Sequence, residues 1–300
     1  MKFVVTGGSG FIGSYIVKHL LEHKHEVTVI DNFWRGKLSN LSGIEDQISI
    51  KKIDILNFEE LKRIISDSNG IFHQAALTSV PESFSQKEKY HQVNVNGTEN
   101  IFKIAHEFGL KVVYASSSSV YGNTESVPIK EDFDKNPINP YGITKLEDEK
   151  LAKKYHELGV SIIGMRYFNV YGIGQTNDYA GVITKFFDCI NNNESPIVFG
   201  DGSQVRDFVS VKDVAKANLL AMNSKTDFAF LNIGTGIVTS ILDLAKIMIK
   251  LSGKSLEIKF LKLPEGDVKE SQADVNLSKK LINWTYETPL EQGLKNFFFT

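Results

Sequence analysis

A single cysteine in 300 residues, Cys189, leaves no internal disulfide to form, so the fold must stand on its core alone. The residue itself reads as a small buried apolar side chain. Neither sign of charge dominates: 34 Lys and Arg face 36 Asp and Glu, a formal net charge of −2. That balance supplies no basic field, and nucleic acid is not an expected partner. Apolar runs stay well short of the ~18 residues a spanning helix needs, so no membrane partner is expected. No charged stretch followed by an apolar one precedes the first strand pattern, Lys2–Thr6. A cleaved leader is therefore not expected, and the cytoplasm is the expected location. Low-complexity segments, long linkers and repeats are also missing. His19, His23 and His25 cluster without a cysteine, so no metal site is expected.

What the chain does have is alternation. Apolar strands are expected at 2–6, 26–31, 47–52, 69–74, 110–115 and 160–167, with amphipathic helices at 11–22, 57–66, 86–108 and 139–158. That order describes an α/β fold with a doubly wound parallel sheet covered on both faces. Beyond about residue 170 the pattern loosens into a helix within 177–193 and short strands near 197–199, 207–209, 228–233 and 257–261. Helices near 211–222, 239–251 and 276–282 accompany them. The expected division is 1–170 as the main domain and 171–300 as a smaller α/β region for substrate, with some chain returning to the main domain.

The first strand ends in Thr6-Gly7-Gly8-Ser9-Gly10-Phe11-Ile12-Gly13 and a helix begins there. Gly7 permits a tight turn, Gly10 lets backbone approach a pyrophosphate, and Gly13 lets helix and strand pack closely. The helix N-terminus adds unpaired N–H groups for the phosphates. In this strand–turn–helix setting the spacing is a Rossmann dinucleotide turn; no Gly-Lys-Ser/Thr follows, which disfavours a P-loop. The second strand delivers Asp31 at its end. A carboxylate there accepts hydrogen bonds from ribose hydroxyls and repels a 2′-phosphate, which favours NAD over NADP. Arg35 and Lys37 read as solvated loop residues.

Strand 110–115 runs into Ser116-Ser117-Ser118-Ser119-Val120-Tyr121-Gly122, and Tyr141-Gly142-Ile143-Thr144-Lys145 follows on a helix. Residues four apart share a helix face, so Lys145 can reach both the Tyr141 hydroxyl and a nicotinamide ribose. An ammonium beside a phenol favours the phenolate. Tyr141 is thus a candidate general base, with a strand-end serine to hold the substrate oxygen. Each motif alone has a bland reading, a polar turn or a solvated helix face. Their order along the chain is what carries the chemistry.

In that order, the chain resembles the extended short-chain dehydrogenase/reductases, most closely the nucleotide-sugar 4-epimerases of the UDP-glucose and UDP-N-acetylglucosamine group. Further segments carry the likeness: Asp54-Ile55, Phe72-His73-Gln74-Ala75-Ala76, Thr78-Ser79-Val80-Pro81, Asn94-Val95-Asn96-Gly97-Thr98, Arg166–Gly172 and Gly200–Phe208. The resemblance implies Ser117, Tyr141 and Lys145 as catalytic residues. It implies cofactor contacts from Gly7, Gly10, Phe11, Ile12, Asp31, Asn32, Asp54, Ile55, Ala75, Ala76 and Asn94, besides Tyr141 and Lys145. Substrate contacts would come from Ser79, Ser117, Tyr141, Asn169, Arg206, Asp267 and Ser271, and the assembly would be a homodimer through the 86–108 and 139–158 helices.

The reaction implied is inversion at C4 by transient oxidation, rotation of the keto-sugar and hydride return. Relatives that eliminate water carry Asp-Glu after the catalytic hydroxyl, and decarboxylases an acid before Val-Tyr-Gly; here Ser118 and Ser119 stand there. A nucleotide-sugar 4-keto reductase or dehydratase of the same fold is the alternative, and a non-catalytic NAD-binding regulator the remote one. In Pro264-Glu265-Gly266-Asp267 the family's nucleotide-gripping Arg is replaced by Pro264. Ser271 falls where the family sets room for a C2 substituent, so N-acetyl sugars are expected alongside UDP-Glc and UDP-Gal.

Overall fold

The structure, a computed structural model, describes residues 1–124, 126–175, 181–262 and 270–299. Pro264 and Asp267 lie outside the described residues. Thirteen strands are present among them: β1 Lys2–Thr6, β2 Glu26–Asp31, β3 Ser49–Lys52, β4 Gly70–His73, β5 Lys111–Ser117, β6 Ile162–Tyr167, β7 Asn169–Tyr171, β8 Ile197–Phe199, β9 Val205–Ser210, β10 Phe228–Ile233, β11 Val238–Ser240, β12 Lys259–Leu261 and β13 Glu270–Ser271. The helices are α1 Phe11–Glu22, α2 Phe58–Ile65, α3 Val80–Ser85, α4 Lys87–Tyr90, α5 Gly97–Phe108, α6 Pro140–Glu157, α7 Val182–Asn191, α8 Val211–Asn223, α9 Ile241–Ser252, α10 Asn276–Ile282 and α11 Leu290–Phe298.

Seven strands form one parallel sheet in the order β10-β6-β5-β4-β1-β2-β3. Central strands such as β1 and β6 are buried along nearly their whole length, as a sheet covered on both faces requires. One apolar layer joins the sheet to α1 and α8, with Phe3, Leu20, Phe72, Leu219 and Trp284 at its heart. The opposite layer holds Ile71, Phe102, Tyr114 and Ile162 against α2, α5 and α6. Strand order reverses between β1 and β4, the switch point where open α/β sheets part to form a ligand crevice.

Strand 228–233, grouped by its sequence neighbours with the C-terminal region, is instead the edge strand β10 of the main sheet. Helix α8 returns the chain across the sheet, and β10 then pairs with β6 from Phe228↔Ile162 to Ile233↔Tyr167. The expected 86–108 helix is three pieces: α4, a π-helical stretch over His91–Asn96, and α5. Widening the turn there lets Gly97 slide under Ile55, where a Cβ would lie 2.4 Å from Ile55 Cδ1. The remaining short strands make a sheet β11-β9-β13 with β7 also on β9, and a separate β8–β12 pair. Phe186, Val198, Phe208, Leu244 and Met248 form the core beneath them.

Candidate active site

The glycine turn lies at the switch point. Gly7 has φ +67°, and a Cβ on it would sit 2.7 Å from the Ala75 nitrogen. At Gly13 a Cβ would come within 2.1 Å of the Gly7 carbonyl oxygen, so α1 docks directly on the turn. The Asp31 carboxylate accepts N–H groups from Ser9 at 3.0 Å and Phe33 at 2.8 Å. It is only 7% exposed, and burial pushes its pKa up against the pull of those hydrogen bonds. Asn32 donates to Asp54 at 2.8 Å, joining the ends of β2 and β3.

A cleft of about 350 Å³ opens here, and it gathers Gly7, Gly10, Asp31, Asn32, Asp54, Ile55, Ala75 and Ala76. The set fits a dinucleotide: bare backbone where phosphates pass, a carboxylate at the strand end, and apolar walls for a base. Phe11 and Ile12 open α1 beside this cleft without lining it. Asn94 is fully buried, its side chain spent on the N–H and C=O of Leu77 and on Thr144. It holds the 75–77 wall in place rather than facing the cleft. Trp34, Arg35 and Lys89 also line it, with the Lys89 ammonium 3.8 Å from the Trp34 ring centre. Arg35 reads from the sequence as a loop residue and Trp34 and Lys89 carry no signal there, because their approach joins the loop after β2 to α4.

Ser117 ends β5, 8% exposed, its Oγ accepting the Ser119 N–H at 3.1 Å. Tyr141 sits in the first turn of α6, which Asn139 caps by accepting the Gly142 N–H at 2.8 Å. A Cβ on Gly142 would meet the Ser119 carbonyl oxygen at 2.7 Å, so α6 presses onto the serine turn and carries Tyr141 to it. The rest of α6 is fixed by a buried fork: Arg166 donates to both Glu149 oxygens at 2.8 and 2.7 Å, and Ser116 to one at 2.7 Å. Lys145 is 2% exposed, its Nζ 3.1 Å from Asp148. Beneath them His73 bridges Thr6 and Thr98 at 2.7 and 2.9 Å; burial foremost, then the Lys145 charge, pushes its pKa down to about 3.

A cavity of about 720 Å³ lies over the C-terminal region between α7, β8 and β9. Ile197 and Phe199 are apolar yet about 40% exposed, and they form one wall (39% and 41%). Cys189, expected to be buried, is half-buried and lines the same cavity. Asn169 and Arg206 line both this cavity and a polar recess of about 170 Å³ that also holds Ser118, Ser119, Asn139 and Ser271. Asn169 is steered by its hydrogen bond to the Asp207 carbonyl at 3.1 Å. Asp207 in turn accepts from Thr235, Gly236 and Ala273, tying β9 to the main sheet's edge and to the segment after β13. Ser79 faces its own helix, capping α3 through the Glu82 N–H.

A dinucleotide turn, a Ser-Tyr-Lys set and a cavity over the C-terminal region thus occur in one chain. The family model described as the NAD dependent epimerase/dehydratase family matches residues 3–234. The chain belongs to that family. A putative UDP-glucose 4-epimerase of Methanocaldococcus jannaschii is 38% identical over 97% of this chain and 95% of its own length. A UDP-N-acetyl-alpha-D-glucosaminuronate decarboxylase of Bacillus cytotoxicus is 32% identical over 98% and 95%. Among solved structures, the UDP-N-acetylglucosamine 4-epimerase of Methanobrevibacter ruminantium M1, in complex with UDP-N-acetylmuramic acid, superposes with a TM-score of 0.95. It is 37% identical, covering 99% of this chain and 96% of that one. The protein is therefore an NAD-dependent nucleotide-sugar enzyme with a Rossmann-type sheet.

Proposed function

We propose that this member of the epimerase/dehydratase family inverts C4 of a UDP-hexose, taking UDP-Glc/UDP-Gal and their N-acetylated counterparts. The observation that carries this reading is the make-up of the sugar recess. Ser118 and Ser119 stand in its catalytic turn, and Glu270, on the far wall, is the one carboxylate among the described residues lining it. Elimination of water or loss of CO₂ calls for an acid beside the reacting carbon; inversion does not. Glu270 also opposes a uronate, which favours a neutral hexose.

NAD, when bound, supplies a hydride acceptor at C4; Gly7, Gly10, Asp31, Asn32, Asp54, Ile55, Ala75 and Ala76 would hold it. Tyr141 takes the proton of the C4 hydroxyl and gives it back, while Ser117 orients that oxygen. Lys145 places positive charge under Tyr141. Asn169 and Arg206, at the junction of cavity and recess, hold the diphosphate, so the nucleoside occupies the larger space and the hexose the smaller. Asp267 is assigned to the nucleotide ribose, and Ser271 leaves room for an N-acetyl group. The α5 and α6 faces provide the homodimer contact.

The test is to give the purified protein UDP-Glc, UDP-GlcNAc and UDP-glucuronate separately, with no added cofactor, and follow C4 by NMR. Inversion of the first two is expected. Absence of C4 inversion with all three overturns the assignment, and a pentose product from UDP-glucuronate replaces it with decarboxylation.

A further inference from the structure

Three residues beyond Lys145 on α6 stands a second ionisable group that the chemistry above does not use. Asp148 is completely buried, and its Oδ2 lies 3.1 Å from the Lys145 ammonium, itself 2% exposed. Its other oxygen, Oδ1, is shielded from solvent and has no hydrogen-bond partner. The Tyr114 hydroxyl of β5, also fully buried and without a partner, belongs to the same interior.

The surrounding charges leave Asp148 to Lys145. On α6, Glu149 is engaged by Arg166 of β6, and Glu147 faces His91 at 3.4 Å. On β4, buried His73 is uncharged at neutral pH and is bonded between two threonines. On α5, Glu99 turns to Lys103, Lys154 and Tyr155 farther along the helix. Lys145 thus has one carboxylate against it, and that carboxylate has one oxygen unsolvated. An ion so placed is expensive to keep charged, and a buried ammonium is equally expensive to leave alone. Burial accordingly pushes Asp148 up to about 7, with Lys145 pulling the other way and Glu147 and Glu149 adding to the rise.

We propose that Asp148 is a positioning residue of the active site, holding the Lys145 ammonium and setting, by one proton, how much positive charge reaches Tyr141. With Asp148 protonated the pair carries a full positive charge beside the reacting hydroxyl. With Asp148 ionised the pair is neutral and that field is largely cancelled. The proposal rests on the assignment of Tyr141 and Lys145 above and adds a proton-linked control to it.

Asp148→Asn keeps an acceptor near Lys145 and removes the charge. The acid limb of its kcat/KM profile should move to lower pH by about one unit, the size a lost neighbouring charge produces. Independently of turnover, the thermal midpoint of the purified wild type should fall relative to the variant as pH rises from about 4 to 7. The sign follows because a carboxyl raised on folding binds its proton more tightly in the native state than when unfolded. Unchanged pH profile and parallel thermal curves overturn the proposal. Asp148→Ser serves the same comparison if the asparagine variant fails to fold. Should neither fold, ¹³C-carboxyl NMR of aspartate-labelled wild type decides: one carboxyl titrating near pH 7 is expected, and complete ionisation of all aspartates by pH 5 overturns it. Tyr141→Phe keeps the two readings separable, since retained activity there refutes the catalytic assignment while the aspartate titration still judges Asp148.

Discussion

The candidate cofactor cleft and the cavity over the C-terminal region are put together differently. The cleft forms at the ends of β1, β2 and β4, whose spacing is imposed by a continuous parallel ladder. Its glycine turn is held where a single Cβ would collide, and Trp34, Arg35 and Lys89 add long side chains to the lining beside it. The cavity is gathered from β7, α7, β8 and β9, each short and none central to a large sheet. Its walls are long side chains: Lys185, Phe186, Phe199 and Arg206. A site framed by ladder geometry tolerates little change. One framed by side chains on small strands can be re-cut for another sugar with the chemistry intact.

The predictions probe that contrast. Tyr141→Phe removes the proposed base from the rigid side and should lower kcat by about 10³-fold, within the range of general acid–base effects, with NAD still retained on purification. Rate by NMR and cofactor by absorbance check both halves. Arg166→Met breaks the buried fork that fixes α6 and leaves Glu149 uncompensated. A loss of about 3–5 kcal/mol is expected in urea unfolding, and a loss below 1 would show that the fork does not anchor the helix.

Asp31→Ala should weaken NAD about 10- to 100-fold, from the ~1.5–3 kcal/mol carried by hydrogen bonds to a charged group, with little change in kcat at saturation. Calorimetric titration measures it. Across the molecule, Ser271→Tyr should cut turnover of the N-acetylated pair about 10- to 100-fold, by the ~1–3 kcal/mol of overpacking, and spare UDP-Glc. Equal loss for both pairs would show that the cavity side is not separately adjustable.

The last effect is absent at neutral pH and grows only in acid. His73 is held neutral in the folded chain, down to about 3, while the unfolded chain takes up that proton near ~6.5. Its contribution to stability is therefore complete above about 6.5 and is lost as pH falls toward 3. His73→Gln should flatten the stability curve in that window, read from urea midpoints.

Legibility followed the same division. The strands around the cleft were readable because each is a buried apolar run followed by an amphipathic helix, and the glycine spacing names its own turn. Asp31, Ser117, Tyr141 and Lys145 sit at strand ends or helix starts, so their positions follow from the elements alone. Asn94 was read as a cofactor contact, and nothing local says that the π-helical stretch turns its amide onto Leu77. Trp34, Ile197 and Phe199 were silent, since exposed apolar side chains on short segments carry no periodic signal, and Lys89 had no context to set it against Trp34. Cys189 had no context to place it in a cavity wall.

By itself, the amino-acid sequence determined the parallel sheet, the dinucleotide turn and the order of the candidate catalytic groups. Those depend on hydrophobic period, glycine stereochemistry and spacing within single elements. Only the tertiary structure decided that residues 228–233 close the main sheet, that Asn169 and Arg206 join cavity to recess, and that Asp148 is the one carboxylate paired with Lys145 among the described residues. These depend on contacts between distant segments and on how completely water is excluded from them, which no local pattern records.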